Sequence, residues 1–237
     1  DSESKCKSTA FVFGYAITAP GEKARTQIDF GDVYYCSKII KRQWQSSVET
    51  VNGKPQSTVF GPDFALIQLS RKVPDRKPMP INREGRIKKG DRVFMTGHPA
   101  GMPFKLSSYG TVVQEVNTDS AFFVTNLDSF GGNSGGAIFN SATGLIEGIL
   151  VRGDAESFIP SFEGCNIYNV RPQYAGFGVS INKLDPVLAE IPPTPAEAAV
   201  AAGLVSDLEA LRKEDFSSPF NVNPEIFFTI PSTACFR

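Results

Sequence analysis

The chain has no excess of charge, no long apolar run and almost no histidine. Its 237 residues contain 24 Lys and Arg against 25 Asp and Glu, and a single His. Such a balance removes the long-range field that nucleic-acid-binding proteins normally carry, so we expect no nucleic acid partner. The longest apolar runs, such as residues 64–69, fit one buried strand and fall far short of the roughly 18–20 residues that a membrane span needs. We therefore expect no membrane span.

Cysteine is scarce and widely spaced. Cys6, Cys36, Cys165 and Cys235 include no C-x-x-C pair, so the sequence implies no metal, and it implies no organic cofactor either. Two disulfides are the favoured interpretation, with Cys6–Cys36 and Cys165–Cys235 preferred among three pairings, and four buried thiols are the alternative. Disulfides predict a secreted or periplasmic protein. Since the chain starts with Asp1 rather than Met, we expect it to be processed or a fragment.

Short runs of β-branched and aromatic residues recur between turn formers, with 21 Gly and 17 Pro in the chain. This spacing predicts an all-β fold of the sandwich or barrel type. The predicted strands are residues 10–17, 32–40, 64–69, 92–97, 110–116, 121–126, 137–140, 145–151 and 176–181.

The composition changes after Leu184. A Pro-rich linker is followed by Thr194-Pro195-Ala196-Glu197, which predicts a helix start with Thr194 as N-cap and Glu197 as its reciprocal partner. Apolar residues then repeat at helical spacing, which predicts a helix over residues 196–213, and a last strand is predicted at residues 226–230. The apolar face of this helix packs on the parent domain or binds a partner.

The segment Gly131-Gly132-Asn133-Ser134-Gly135-Gly136 encloses one serine between glycines. Glycine lets the backbone adopt positive φ and lets a substrate carbonyl approach main-chain N–H groups, which is what an oxyanion hole needs. We expect Ser134 to be the nucleophile and the N–H groups of Gly132 and Ser134 to bind the oxyanion. A plain turn and a phosphate-binding nest are the alternatives; the nest is disfavoured because a strand, not a helix, follows.

These residues resemble the trypsin-like serine peptidases, and the Gly-Gly-Asn-Ser-Gly pattern resembles their bacterial glutamyl-endopeptidase-like branch. Asp63 and the four residues after it look like the strand that carries the triad aspartate, Gly97-His98-Pro99 looks like the turn that opens the second barrel, and residues 148–153 look like the strand that pairs with substrate. The resemblance covers residues 9–184. It implies a serine endopeptidase that hydrolyses peptide bonds through an acyl-enzyme, with a protein or peptide as substrate and with Val151, Arg152 and Gly153 beside it.

The resemblance also implies a two-barrel fold. Residues 1–80 would form a partial N-terminal barrel with Asp63, residues 81–185 the C-terminal barrel with Ser134, and residues 186–237 the extension. The triad aspartate orients a histidine that takes the serine proton. In the family that histidine precedes the aspartate, whereas His98 follows Asp63, so we expect His98 to be structural, with substrate contact or an unusual base as the other readings. An N-terminal fragment upstream of Asp1 would then supply the base and complete the first barrel. A catalytically inactive pseudopeptidase that binds proteins is the rival interpretation.

Asp128 precedes Ser134 by six residues, the offset at which the family's trypsin branch has the floor of its specificity pocket. Asp128 with Ser129 therefore predicts a preference for Lys or Arg, unless Asp128 only caps its own loop. Arg152 could pair with Asp128 and cancel its charge, or could attract an acidic substrate group. Asn133 stands where trypsin itself has an aspartate, so activation by insertion of an N-terminal ammonium is not expected.

Overall fold

A computed structural model describes residues 2–198, apart from residues 52–53, 75, 85–86, 118, 154–157, 171, 173–174 and 196. The predicted strand at residues 226–230, nearly all of the predicted helix and Cys235 lie outside these described residues. Within them, no helix is long and apolar enough to cross a membrane.

The N-terminal part is one antiparallel sheet with a short helix. Helix α1 (Glu3–Lys7) leads to β1 (Ala10–Val12), and a 3-10 turn (Phe30–Asp32) precedes the long hairpin of β2 (Val33–Val51) and β3 (Lys54–Leu69). The strand order is β1-β2-β3. The predicted Cys6–Cys36 disulfide is confirmed, and it ties α1 to β2. Cys165 is also disulfide-bonded, and its pairing with Cys235 stays a prediction.

The second part is a six-stranded antiparallel sheet. It contains β4 (Arg92–Gly97), β5 (Lys105–Thr111), β6 (Phe122–Thr125), β7 (Ala137–Asn140), β8 (Ile146–Arg152) and, after a small hairpin of β9 (Phe158–Pro160) and β10 (Asn166–Tyr168), β11 (Val179–Lys183). The strand order is β5-β4-β7-β8-β11-β6. An antiparallel bridge between Val112 and Thr125 joins the outer strands, so the sheet curls back on itself. Its interior is filled by side chains that are almost fully buried, among them Val93, Met95, Ile138 and Ile181.

The predicted all-β fold is confirmed, with shifts at strand ends. Strand β1 ends at Val12, short of the predicted 10–17, and Gly14 follows with a left-handed φ of 72°. The strand predicted at residues 110–116 was misplaced, because β5 runs from Lys105 to Thr111 and pairs with β4. The position of β5 is set by its backbone pairing with β4, and the apolar residues of the predicted segment gave no indication of that pairing.

The helix start at Thr194 was predicted correctly. Pro195 is helical, the Thr194 N–H donates to Glu197 Oε2 at 2.9 Å, and the Glu197 N–H donates to Thr194 Oγ1 at 3.2 Å. Glu197 is buried and also accepts from the Ile81 N–H at 2.6 Å and from Arg83 Nε at 3.1 Å. The extension is therefore fixed to the connection between the two sheets. A 3-10 segment (Asp185–Glu190) precedes the helix start at Thr194.

The first sheet leaves large apolar side chains in water. Trp44 is 73% exposed, and Phe60 and Ile40 are also exposed. Trp44 is the register partner of Asp63. A cavity of about 590 Å³ lies next to this pair, lined by Arg42, Gln43, Trp44 and Phe64.

Candidate active site

Hydrogen bonds to neighbouring strands fix the serine loop. The Asn133 N–H donates to the Phe130 carbonyl at 3.1 Å, which closes a turn. The Gly135 N–H donates to the Leu150 carbonyl at 2.8 Å, and the Leu150 N–H donates to Gly136 at 2.9 Å. The loop is thereby attached to β8 as it enters β7, and Ser134 stands exposed at its tip.

Two N–H groups of the loop are left for a ligand. Within the described part of the chain, the N–H groups of Gly132 and Ser134 donate to no other residue. Gly132 has φ of +96°, and the carbonyl before it, that of Gly131, accepts from the Ala100 N–H at 2.7 Å. Because a trans peptide directs its N–H opposite to its C=O, the Gly132 N–H points away from Ala100. Gly132 and Ser134 are the residues that the sequence analysis assigned to the oxyanion hole, and that role stays a prediction.

Ser134 and His98 line the same cavity. Its volume is about 280 Å³, and its lining is Thr96, Gly97, His98, Phe104 and residues 132–137. His98 Nδ1 lies 3.0 Å from the Met102 carbonyl, and because a carbonyl oxygen only accepts, Nδ1 is the donor of this hydrogen bond. The Tyr15 ring stacks on the imidazole at 6.0 Å, and the Phe104 ring meets it edge-on at 6.2 Å.

Asp63 lies outside that cavity, at the junction of the two sheets. Its N–H donates to Asn182 Oδ1 on β11 at 2.9 Å, and its Oδ2 lies 4.0 Å from Arg152 Nη2 on β8. The structure therefore does not bring Asp63 and Ser134 into contact. It places both beside β8, where Leu150 binds the serine loop and Arg152 faces Asp63.

Arg152 does not pair with Asp128, which was one of the two roles considered for it, and instead lies between β3 and the second sheet. It donates to the Gly61 carbonyl at 2.9 Å, and its guanidinium lies 4.6 Å from the Phe60 ring centre and 4.5 Å from that of Phe122. Burial lowers the pKa of Arg152, and the nearby Asp63 carboxylate opposes this shift. No ion pair forms between Arg152 and Asp128, which is exposed and has no ion-pair partner among the described residues.

The other predicted substrate residues lie along two segments. Val151 is half-buried and Gly153 is exposed at the end of β8. Ser129 is half-buried, and its Oγ lies 3.5 Å from Asn133 Nδ2. Asn133 is buried, and its Oδ1 has no hydrogen-bond partner among the residues described.

Sequence reasoning missed several residues that shape this region. Asn182, which binds the Asp63 N–H, gave no signal because its role depends on the pairing of β11. Ala100, which binds Gly131, has a left-handed φ of 51°, and only the neighbouring Gly101 hints at a tight turn. An aromatic cluster next to the loop was also missed: Phe130, Phe158 and Tyr168, with ring centres 5.1–5.9 Å apart. Burial raises the pKa of Tyr168.

A comparison with protein families gives a match. Residues 37–149 match the model of the trypsin-like peptidase domain. The match to the trypsin-like peptidase domain includes both Asp63 and Ser134, and it supports a serine-protease type of function. No curated protein matches the sequence.

Solved structures similar to this chain include three of the Rv3671c protease from M. tuberculosis. The active form is 16% identical with a TM-score of 0.38, and 68% of this chain covers 63% of that chain. The inactive form is 14% identical with a TM-score of 0.36, covering 74% of this chain and 72% of that one. An inactive serine-to-alanine mutant from strain H37Rv is 12% identical with a TM-score of 0.35, covering 69% and 65%. The chain thus spans about two thirds of the length of these proteins.

Proposed function

We propose that this chain carries the nucleophile of a serine endopeptidase, which hydrolyses peptide bonds through an acyl-enzyme. The observation that carries the proposal is the pair of undonated N–H groups, Gly132 and Ser134, beside the Ser134 hydroxyl on one cavity. A carbonyl oxygen that gains negative charge during acyl transfer is stabilised by such donors, each worth roughly 10²- to 10³-fold in rate. The match to the trypsin-like peptidase domain supports the same reaction.

In this reaction Ser134 Oγ bonds to the substrate carbonyl carbon while a base takes the hydroxyl proton. The base then gives that proton to the leaving amine as the peptide bond breaks, and water hydrolyses the resulting ester by the reverse transfers. Asp63 is assigned the role of orienting the base.

The base is assigned to a histidine of a polypeptide segment other than these residues. His98 is held by the Met102 carbonyl and by two aromatic rings, and Asp63 is not among the residues that line the His98 cavity. The 590 Å³ cavity is lined by Trp44, the register partner of Asp63, and by Phe64, the residue that follows Asp63. A segment that covers exposed Trp44 would also reduce the apolar surface of the first sheet, which is a recognised driving force for association.

The peptidase is proposed to prefer cleavage after Lys or Arg, because Asp128 would line the pocket that binds the side chain before the scissile bond. The carboxylate is exposed and has no ion-pair partner in the described part of the chain, so it is available to a cation. Asp128→Ser should remove any preference for Lys or Arg in a peptide library, whereas Asp119→Ser, at another exposed carboxylate, should leave it unchanged. An unaltered preference in Asp128→Ser would remove Asp128 from the pocket.

The second candidate is an inactive pseudopeptidase that binds proteins. Two observations favour it: the Ser134 hydroxyl has no hydrogen-bond partner within the described residues, and the nearest cation to Asp63 is Arg152. Because the two candidates share the fold, they differ only in the reactivity of Ser134.

Chemical rescue separates the candidates on the chain as it exists. The rate of fluorophosphonate labelling of Ser134 is measured with and without added imidazole, in the wild type, Ser134→Ala, Asp63→Asn and His98→Gln. The proposal expects labelling that rises with imidazole, is absent in Ser134→Ala, is weakened in Asp63→Asn and is kept in His98→Gln. No rescue would favour the pseudopeptidase. Full labelling without imidazole that is lost in His98→Gln would assign the base to His98.

A secreted or periplasmic location is proposed as well. The Cys6–Cys36 disulfide supports it, because disulfides persist in oxidising compartments. Fractionation of the source cells tests this location, and recovery of the protein with reduced thiols from the cytosol would contradict it.

A further inference from the structure

The strand order divides the surroundings of Ser134 into two sides. The serine loop enters β7, which has β8 on one side and β4 on the other. On the β8 side the loop is bound to Leu150, just before residues 151–153, which were predicted to lie beside the substrate. The inference places the backbone of the acyl half of the substrate on this side. A peptide that passes from there over Ser134 continues above the end of β4. That end carries Gly97 and His98, so it faces the half of the substrate that leaves as the amine.

The lining on this side, here called the ring wall, includes the rings of His98 and Phe104. The Phe104 ring lies at 74° to the imidazole, and the ring of Tyr15, which is not a lining residue, stacks on the imidazole with an interplanar angle of 24°. The Phe104 N–H donates to the Tyr15 carbonyl at 2.8 Å, and the Met102 carbonyl fixes His98 Nδ1. The rings are therefore held by the backbone before a substrate arrives, which lowers the entropy cost of binding.

The wall is also fixed to the oxyanion loop. Within the turn that starts at His98, the Ala100 N–H donates to the Gly131 carbonyl at 2.7 Å. A Cβ on Gly132 would lie 2.7 Å from Ala100 N and 3.2 Å from the His98 carbonyl. The distance between the ring wall and the Gly132 N–H is thus set by direct backbone contact.

We infer that the His98 side of the cavity binds an aromatic side chain on the residue that follows the scissile bond. This specificity rests on the proposed function. Among the described residues, the lining contains no Lys, Arg, Asp or Glu that would pair with a charged side chain. Aromatic rings prefer edge-to-face or offset contact with other rings. A volume of about 280 Å³ suits one side chain rather than a larger ligand.

The test measures binding without turnover. The chain has one histidine, so the imidazole signals in an NMR spectrum of histidine-labelled protein belong to His98. Full-length Ser134→Ala is titrated with the leaving-group mimics Phe-Ala-amide, Ala-Ala-amide and Glu-Ala-amide. We expect Phe-Ala-amide to shift the His98 signals saturably and to bind roughly tenfold more tightly than the other two.

Two variants made in the Ser134→Ala background show whether the wall is responsible. Phe104→Leu should abolish the preference for Phe-Ala-amide, and its amide spectrum shows whether the fold is retained. Phe30→Leu is the matched control, because Phe30 is exposed and does not line the cavity; it should keep the preference. Equal affinity for the three amides, or an unchanged preference in Phe104→Leu, would overturn the inference.

The outcome is separable from that of the proposed function. If Ser134 is labelled under imidazole but the three amides bind equally, the peptidase stands and this specificity is wrong. If Phe-Ala-amide binds preferentially but Ser134 is never labelled, the binding site stands and the peptidase is wrong.

Discussion

Replacing Gly132 with alanine should both destabilise the fold and disable the oxyanion hole. Gly132 has φ of +96°, where a Cβ costs about 1–2 kcal/mol. The new Cβ would also lie 2.7 Å from the backbone nitrogen of Ala100, and relief of such overpacking costs about 1–3 kcal/mol more. The free energy of unfolding should therefore fall by about 2–5 kcal/mol, and Tm by roughly 5–15 °C.

The rate of Ser134 labelling reports the second effect. The Gly131–Gly132 peptide must rotate to relieve the contact, and rotation redirects the Gly132 N–H. Loss of one oxyanion donor should slow imidazole-rescued fluorophosphonate labelling by roughly 10²- to 10³-fold.

Two neighbouring glycines provide matched controls. A Cβ on Gly131 meets nothing within 4 Å and its φ is not positive, so Gly131→Ala should behave as the wild type. A Cβ on Gly135 also meets open space but its φ is +84°, so Gly135→Ala should show only the left-handed cost of about 1–2 kcal/mol. If Gly132→Ala unfolds and labels like Gly131→Ala, the assigned geometry of the hole is wrong.

Three further changes test other parts of the structure. Arg152→Met removes the hydrogen bond to the Gly61 carbonyl and both ring contacts, and should lower the free energy of unfolding in urea by about 1–3 kcal/mol, with Arg152→Lys intermediate; full stability of Arg152→Met would contradict this. Burial raises the pKa of Glu147, so wild-type stability from this group falls as pH rises through its folded pKa. Glu147→Gln should make a plot of Tm against pH flatter and raise Tm at neutral pH, and an unchanged plot would refute it. Replacing both Cys6 and Cys36 with serine opens a loop of 30 residues and should cost about 3.5 kcal/mol in the urea-derived free energy of unfolding; a cost below 1 kcal/mol would show that α1 is held by other contacts.

Local patterns predicted the parts of the fold that depend on local chemistry. Turn formers and β-branched runs located most strands of the second sheet, and the Thr194–Glu197 pair located a helix start. Strand β5 was misplaced because its residues Lys105–Thr111 are mostly small and polar. Its position follows from backbone pairing with β4, which no property of the segment itself reveals. The hairpin of β2 and β3 extends beyond its apolar residues for the same reason.

The candidate site divides in the same way. The glycines around Ser134 revealed the loop because their backbone requirement is local. The position of His98 on the Ser134 cavity and the approach of Arg152 to Asp63 depend on which strands become neighbours. Strand neighbours are set by the packing of the whole sheet, which the sequence does not show. For this reason the sequence analysis considered Asp128 as the partner of Arg152, whereas the carboxylate near Arg152 is that of Asp63.

The exposed Trp44 allows intrinsic fluorescence to be used as a probe of the first sheet. It is the chain's one tryptophan, it lies on β2, and the second sheet contains none. Indole emission therefore depends on the surroundings of one face of the first sheet and gives no information on the second sheet. A free chain should emit at the long wavelengths of a hydrated indole, and a blue shift would record in real time any polypeptide that settles over that face.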